Sequence, residues 1–120
     1  MAGKKPQFLI FKEIGGRPDV RLFRNNCGTA IMPDGSYVKY GLCNPGGSDL
    51  IGWRSITITP DMVGRRVALF TAIEVKSGKG RPDKDQRNFI KQVKKAGGLA
   101  GVARSPASAE KIIDLPKDNI

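Results

Sequence analysis

Three charged residues on two short stretches suit the hydrolysis of a phosphodiester. Asp49 follows Gly46-Gly47-Ser48 and precedes the apolar pair Leu50-Ile51. Glu74 and Lys76 stand two apart in Ala72-Ile73-Glu74-Val75-Lys76, and strand side chains alternate faces, so both project from one side. Val67, Leu69, Phe70, Ile73 and Val75 around them are apolar on both faces, which predicts a strand buried within an α/β sheet. A carboxylate and an ammonium at the end of such a strand are costly to bury unless paired or used.

Cleavage of a phosphodiester by water needs charge neutralisation by a metal, an oriented nucleophile and a held backbone. Mg²⁺ typically takes one or two carboxylates and fills its other positions with waters and phosphate oxygens. Asp49 and Glu74 supply those carboxylates if their strands adjoin, with the main-chain carbonyl of Val75 as a third ligand. Lys76 is then placed to orient or help deprotonate the attacking water, or to stabilise transition-state charge. Glu-x-Lys alone is common, and its ordinary reading is a same-face ion pair on a half-exposed strand. Gln86 lies three residues before Phe89 and seven before Val93, on the helix face that looks onto the sheet, and its amide reaches the site or holds a water. It equally completes a capping box with Asp83, and the two roles are compatible.

Composition narrows the chemistry. The 120 residues carry 21 Lys and Arg against 11 Asp and Glu, a formal charge of +10. The excess is sharpest from Lys76 to Lys95, where Lys79, Arg81, Lys84, Arg87, Lys91 and Lys94 face only Asp83 and Asp85. Such a patch attracts polyanions in a salt-dependent way, and Arg24, Lys79, Arg81 and Arg87 are the candidates for backbone contacts. There is no histidine, which removes His-dependent general acid–base and Ser-His-Asp chemistry. Two cysteines, Cys27 and Cys43, are too few for a four-ligand zinc site, so any metal is oxygen-bound, favouring Mg²⁺ or Mn²⁺. The cysteines read as small buried thiols. No apolar run approaches the roughly 20 residues of a membrane span, and no secretory leader is evident, so the expected location is cytoplasmic.

In chain order, residues 1–5 read as a disordered basic start, followed by a helix from Pro6 to Ile14 stopped by Gly15-Gly16. Val20 to Ile31 is expected to be one strand. Asp34-Gly35 predicts a tight hairpin turn with positive φ at both residues, returning along Tyr37 to Cys43. Leu50 to Thr59 is β-rich and is expected to pair with the next strand, Val67 to Lys76, across a connection at Pro60 to Arg65. Pro82-Asp83 announces a helix, with Asp83 as N-cap and Phe89, Ile90, Val93 and Ala96 as its core stripe. Gly97-Gly98 ends it. Leu99 to Ala103 is a short buried strand, and Ser105 caps a last helix that runs to Leu115.

The chain resembles the VRR-NUC family of the PD-(D/E)xK nuclease superfamily. The resemblance is carried by RLFRNNCG at 21–28, GGSDLIG at 46–52, AIEVKSGKG at 72–80, Gln86 and AGGLAGVARS at 96–105. It implies one nuclease domain over 1–120, α/β in class, with a restriction-endonuclease-like mixed β-sheet flanked by helices in α-β-β-β-α-β-α order. Asp49, Glu74, Lys76 and Gln86 match the functional positions, with Ser48-Asp49 standing where the superfamily name has Pro-Asp. The first-helix glutamate common in these nucleases has no clear counterpart: Gln7 lies near its place and Glu13 is that helix's only acid. Stand-alone members, found in phages and bacteria, resemble Holliday-junction resolvases and form homodimers. The resemblance thus implies Mg²⁺- or Mn²⁺-dependent cleavage of branched DNA, in a host cytoplasm if phage-encoded, with no small-molecule substrate. The alternatives are a flap-, nick- or end-directed nuclease and a non-catalytic nucleic-acid-binding module.

Overall fold

A computed structural model describes residues 4–114, and its helices and strands run in the order α, five strands, α, β, α. The chain clusters into two compact units, Met1–Ile56 and Thr57–Ile120. The expected α/β class with parallel and antiparallel pairing is present. The order differs from the expected one because the segment between the first two helices divides into more strands. Pairing falls into three two-stranded ladders.

In the first unit, α1 spans Lys4–Gly15 and packs on β1, Val20–Arg24. Lys4 and Lys5, placed in the disordered start by the sequence, belong to α1, as a good helix former extends a helix nucleated by the apolar turn after it; residues 1–3 lie outside the described residues. β2 is Gly28–Ile31 and β3 is Tyr37–Tyr40, joined as an antiparallel hairpin. The single strand expected over Val20 to Ile31 is therefore two, interrupted at residues 25–27, where the Asn25 side chain takes up main-chain groups of distant loops. The hairpin turn also differs. Only Gly35 of the Asp-Gly pair has positive φ, while Asp34 Oδ1 accepts from the Ser36 N–H at 2.9 Å. The longer loop from Met32 to Ser36 is closed by an Asx-turn. Cys27 and Cys43 are free and exposed, not buried, because both sit in the irregular chain flanking the hairpin.

β4 is Leu50–Arg54, shorter than the expected run to Thr59, and its partner is β1, antiparallel, rather than the strand that follows. Phe23 and Trp53 meet across this ladder with ring centroids 5.6 Å apart, the diagonal aromatic contact that fixes a register. At its open end Asp19 accepts from Arg17 Nη2 at 2.7 Å and from Arg54 Nε at 3.2 Å. The Arg17 hydrogen bond, ahead of its charge and the Arg54 contact, holds the Asp19 carboxyl below the usual carboxylate range.

The second unit opens with a 3₁₀ turn at Pro60–Met62, then forms a βαβα unit. β5, Thr71–Val75, runs parallel to β6, Leu99–Ala103, with α2, Lys84–Lys95, as the crossover. α3, Pro106–Ile113, packs on β6, close enough that a Cβ on Gly101 would lie 2.9 Å from Ile112 Cδ1. The expected end of this helix, Leu115, lies outside the described residues. β5 begins at Thr71, and Val67 and Leu69 precede it, 48% and 40% exposed. The expectation of burial on both faces is overturned: alternate residues Ala72, Glu74 and Lys76 are half-buried, whereas Ile73 and Val75 are exposed. One ladder partner and one crossover helix cover one face of a strand. Among the described residues the buried ones, Val93, Ala100 and Ala103, all lie on α2 and β6.

Candidate active site

Glu74 and Lys76 extend from the half-buried face of β5, as their spacing predicts. Lys76 Nζ lies 3.4 Å from Glu74 Oε2, with side chains 23% and 29% exposed. The strand is held straight past its formal end by the Lys76 N–H, which donates to the Ala103 carbonyl at 3.1 Å; at the other end the Leu99 N–H donates to Phe70 at 2.9 Å. In a parallel ladder these two bonds assign the main-chain groups of residues 70, 72, 74 and 76 to β6. The carbonyl of Val75 therefore faces the other edge, where it is not consumed by β6.

A cavity of about 410 Å³ opens beside this pair, lined by Ala72, Ile73 and Glu74 from β5 and by Asp85, Gln86, Phe89 and Ile90 from α2. Gln86 reaches it because the start of α2 is locked. The Gln86 N–H donates to Asp83 Oδ1 at 2.8 Å, and the Asp83 N–H donates to Gln86 Oε1 at 2.9 Å, the complete capping box. Its amide oxygen is thus occupied in capping, and Nε2 makes no hydrogen bond among the described residues, so one side chain serves the helix and leaves a donor for the cavity.

The loop after β5 carries Lys79 and leads to Arg81, both exposed. Arg104, at the end of β6, clamps it: Nη1 donates to the Gly78 carbonyl at 3.1 Å and Nη2 to the Gly80 carbonyl at 2.6 Å. Arg87 is exposed, but Nη1 donates to the Pro82 carbonyl at 2.8 Å, so its guanidinium is tied to the chain entering α2. The structure therefore gathers Glu74 and Gln86 around one cavity, with Lys76 paired to Glu74 and Lys79 and Arg81 on the adjoining loop.

Asp49 belongs to the first unit. It is exposed, on the bend just before β4, and its carbonyl accepts from the Asn25 N–H at 2.8 Å. Arg24 pairs with Leu50 in the β1–β4 ladder, which sets it one residue from Asp49. Gln7 is half-buried and Glu13 exposed on α1.

Two residues of this geometry, Asn25 and Arg104, carried no assignment from the sequence. Each lies within a stretch that bears the family resemblance, but an amide or guanidinium that bonds main-chain carbonyls leaves no spacing signature.

The model of the VRR-NUC domain matches residues 35–107. The chain belongs to the VRR-NUC family. No curated protein and no solved structure matches it. VRR-NUC membership makes this a nuclease-type domain, and the match runs from the first unit into the second, taking in Asp49 as well as the Glu74 cavity. No group of three or more acidic, Cys or His side chains clusters among the described residues. The candidate donors on this chain, the Asp49 and Glu74 carboxylates and the Val75 carbonyl, are hard oxygens, the class that suits the divalent metals nuclease domains generally use. Among the described residues no helix is long and apolar enough to cross a membrane.

Proposed function

We propose that this chain is a Mg²⁺- or Mn²⁺-dependent endonuclease that hydrolyses DNA phosphodiester bonds and prefers branched DNA such as Holliday junctions. The observation that carries the reading is the Glu74–Lys76 pair, presented on one strand face beside the Gln86 cavity, in a nuclease-family domain of charge +10. Asp49, Glu74 and the Val75 carbonyl would hold the ion. When bound, it neutralises charge developing on the scissile phosphate.

The remaining work falls to the chain's own groups. Lys76 places a preorganised ammonium against the reacting phosphate, orienting the attacking water or stabilising the transition-state charge. Gln86 Nε2 donates to that water or to a phosphate oxygen. Arg24, Lys79, Arg81 and Arg87 hold the DNA backbone. The reading is of one nuclease domain over 1–120, and both carboxylates, Asp49 and Glu74, fall within the family match at 35–107. A homodimer would present two such sites to the two strands of a four-way junction, in the cytoplasm where that DNA is found.

A cleavage panel of junction, flap, nicked and plain duplex DNA, with and without Mg²⁺ or Mn²⁺, tests the reading. The junction is cut only with the ion. Glu74→Gln and Asp49→Asn abolish cleavage while junction binding persists, since the basic surface is untouched. A wild-type protein that binds every substrate and cuts none with either ion is a binding module, and the proposal fails.

A further inference from the structure

Asp49 sits on chain with no regular structure. Gly47 and Ser48 lie outside any helix or strand and Asp49 is a bend, so no regular element of its own holds the residue in one place. Fixing such residues costs backbone entropy, and specific contacts must offset it.

Asn25 supplies them. Its main-chain N–H donates to the Asp49 carbonyl at 2.8 Å. Its side-chain Nδ2 donates to the Ser48 carbonyl at 3.1 Å and to the Leu42 carbonyl at 3.0 Å. Its Oδ1 accepts from the Leu42 N–H at 2.8 Å. Both Nδ2 hydrogens are thereby used. One half-buried residue grips two successive carbonyls of the bend and both main-chain groups of a third segment. Gly47 closes the arrangement: a Cβ there would overlap the Leu42 carbonyl and stand 3.0 Å from Asn25 Nδ2. The bend is fixed from three directions at the point where Asp49 leaves it.

We propose that Asn25 is the positioning residue for Asp49, setting where its carboxylate is presented to a divalent cation. The inference rests on the reading of Asp49 as a metal ligand. Asn25 acts only through the main chain of residues 48 and 49; it does not itself meet the ion or the DNA. Its removal therefore weakens metal binding and slows the chemical step while leaving DNA binding in place.

Asn44 provides the control. Its Nδ2 also donates to two carbonyls of the same unit, Gly28 at 2.8 Å and Tyr40 at 2.9 Å, but it makes no hydrogen bond to residue 48 or 49. Mn²⁺ titrations followed by the electron paramagnetic resonance of the free ion, run beside steady-state cleavage of a four-way junction, separate the roles. Asn25→Ala raises the Mn²⁺ dissociation constant on the order of tenfold or more and lowers kcat about 10–100-fold, as loss of a ligand-orienting partner does, with KM unchanged within about threefold. Excess Mn²⁺ recovers part of kcat. Asn44→Ala leaves the Mn²⁺ constant as in wild type. Should Asn25→Ala fail to fold by circular dichroism, Asn25→Ser, which keeps one short donor, gives the same result in weaker form. Wild-type Mn²⁺ affinity in either folded Asn25 variant, or equal loss in the Asn25 and Asn44 variants, overturns the proposal. Asp49→Asn run alongside tells the two failures apart. If it binds Mn²⁺ and cuts like wild type, the reading of Asp49 falls and the role of Asn25 with it; if it loses both while Asn25→Ala keeps both, only the role of Asn25 falls.

Discussion

Asp49 rides on an irregular bend gripped by the amide of Asn25, in a unit with no buried side chain among its described residues, whereas Glu74 sits within a strand backed by β6 and α2 and their buried Val93, Ala100 and Ala103. The two candidate carboxylates are thus held by different physics. Apolar packing is non-directional and tolerates small displacements as long as volume is conserved. A hydrogen-bonded bend depends on each bond separately, since an unmade bond in it costs more than a made one contributes. The packed unit fixes Glu74 and Lys76 as a rigid pair, and the polar unit places a single acid through hydrogen bonds to the main chain around it.

The largest effect expected of that contrast is at Lys76. Lys76→Ala removes the ammonium from the rigid pair without touching the β5–β6 ladder, since the main-chain bond to Ala103 remains. Single-turnover rates fall about 10²–10³-fold, the usual cost of one preorganised donor, while Mn²⁺ affinity stays at the wild-type value. An equal loss of metal affinity would mean that the pair acts as one ligand unit and not as ligand and electrophile.

Next in size is the packing itself. Val93 is 1% exposed, and Val93→Ala lowers stability by about 2 kcal/mol through lost burial and a residual cavity. Hydrogen exchange on β5, α2 and β6 reads that loss directly. Phe8 on α1 is 63% exposed, and Phe8→Ala changes stability by less than about 0.5 kcal/mol, in line with surface substitutions. A reversal of the two would erase the contrast between the units.

The smallest effect belongs to Asp19. Its carboxyl is held below the usual range chiefly by the Arg17 hydrogen bond, so its contribution is complete above the unfolded-state value and disappears as pH falls through the lowered one. Thermal melts of wild type and Asp19→Asn therefore differ near neutrality, with wild type higher, and converge in acid. A gap that persists at pH 3 or grows there would assign the effect to something other than the carboxylate.

The βαβα unit was largely legible in the sequence because its signals are local. Asp83 and Gln86 stand three apart at a helix start, Ser105-Pro106 opens another, and Glu74 and Lys76 share a face by strand periodicity. These are properties of a few consecutive residues. What covers a face is not local, and the apolar run from Val67 to Val75 only states a preference for burial. Ile73 and Val75 show that the preference is met on one side alone. The break between β1 and β2 was missed for a related reason. Asn25 interrupts an apparently continuous strand by bonding loops 17 to 23 residues away, and that competition with the ladder has no period to detect. The partner of β4 was likewise set by the long return through the hairpin and not by sequence neighbourhood. The tight turn expected at Asp34-Gly35 failed because the Asp34 carboxylate caps Ser36 instead of lending its own backbone to a positive φ.

Arg104 has one more effect. Its guanidinium is bound to two neutral carbonyls and, among the described residues, to no carboxylate, so its charge stays unmatched there while its two hydrogen bonds already fix its direction. A strand of nucleic acid approaching the Lys79 loop meets a stationary cation that need not reorganise to receive it.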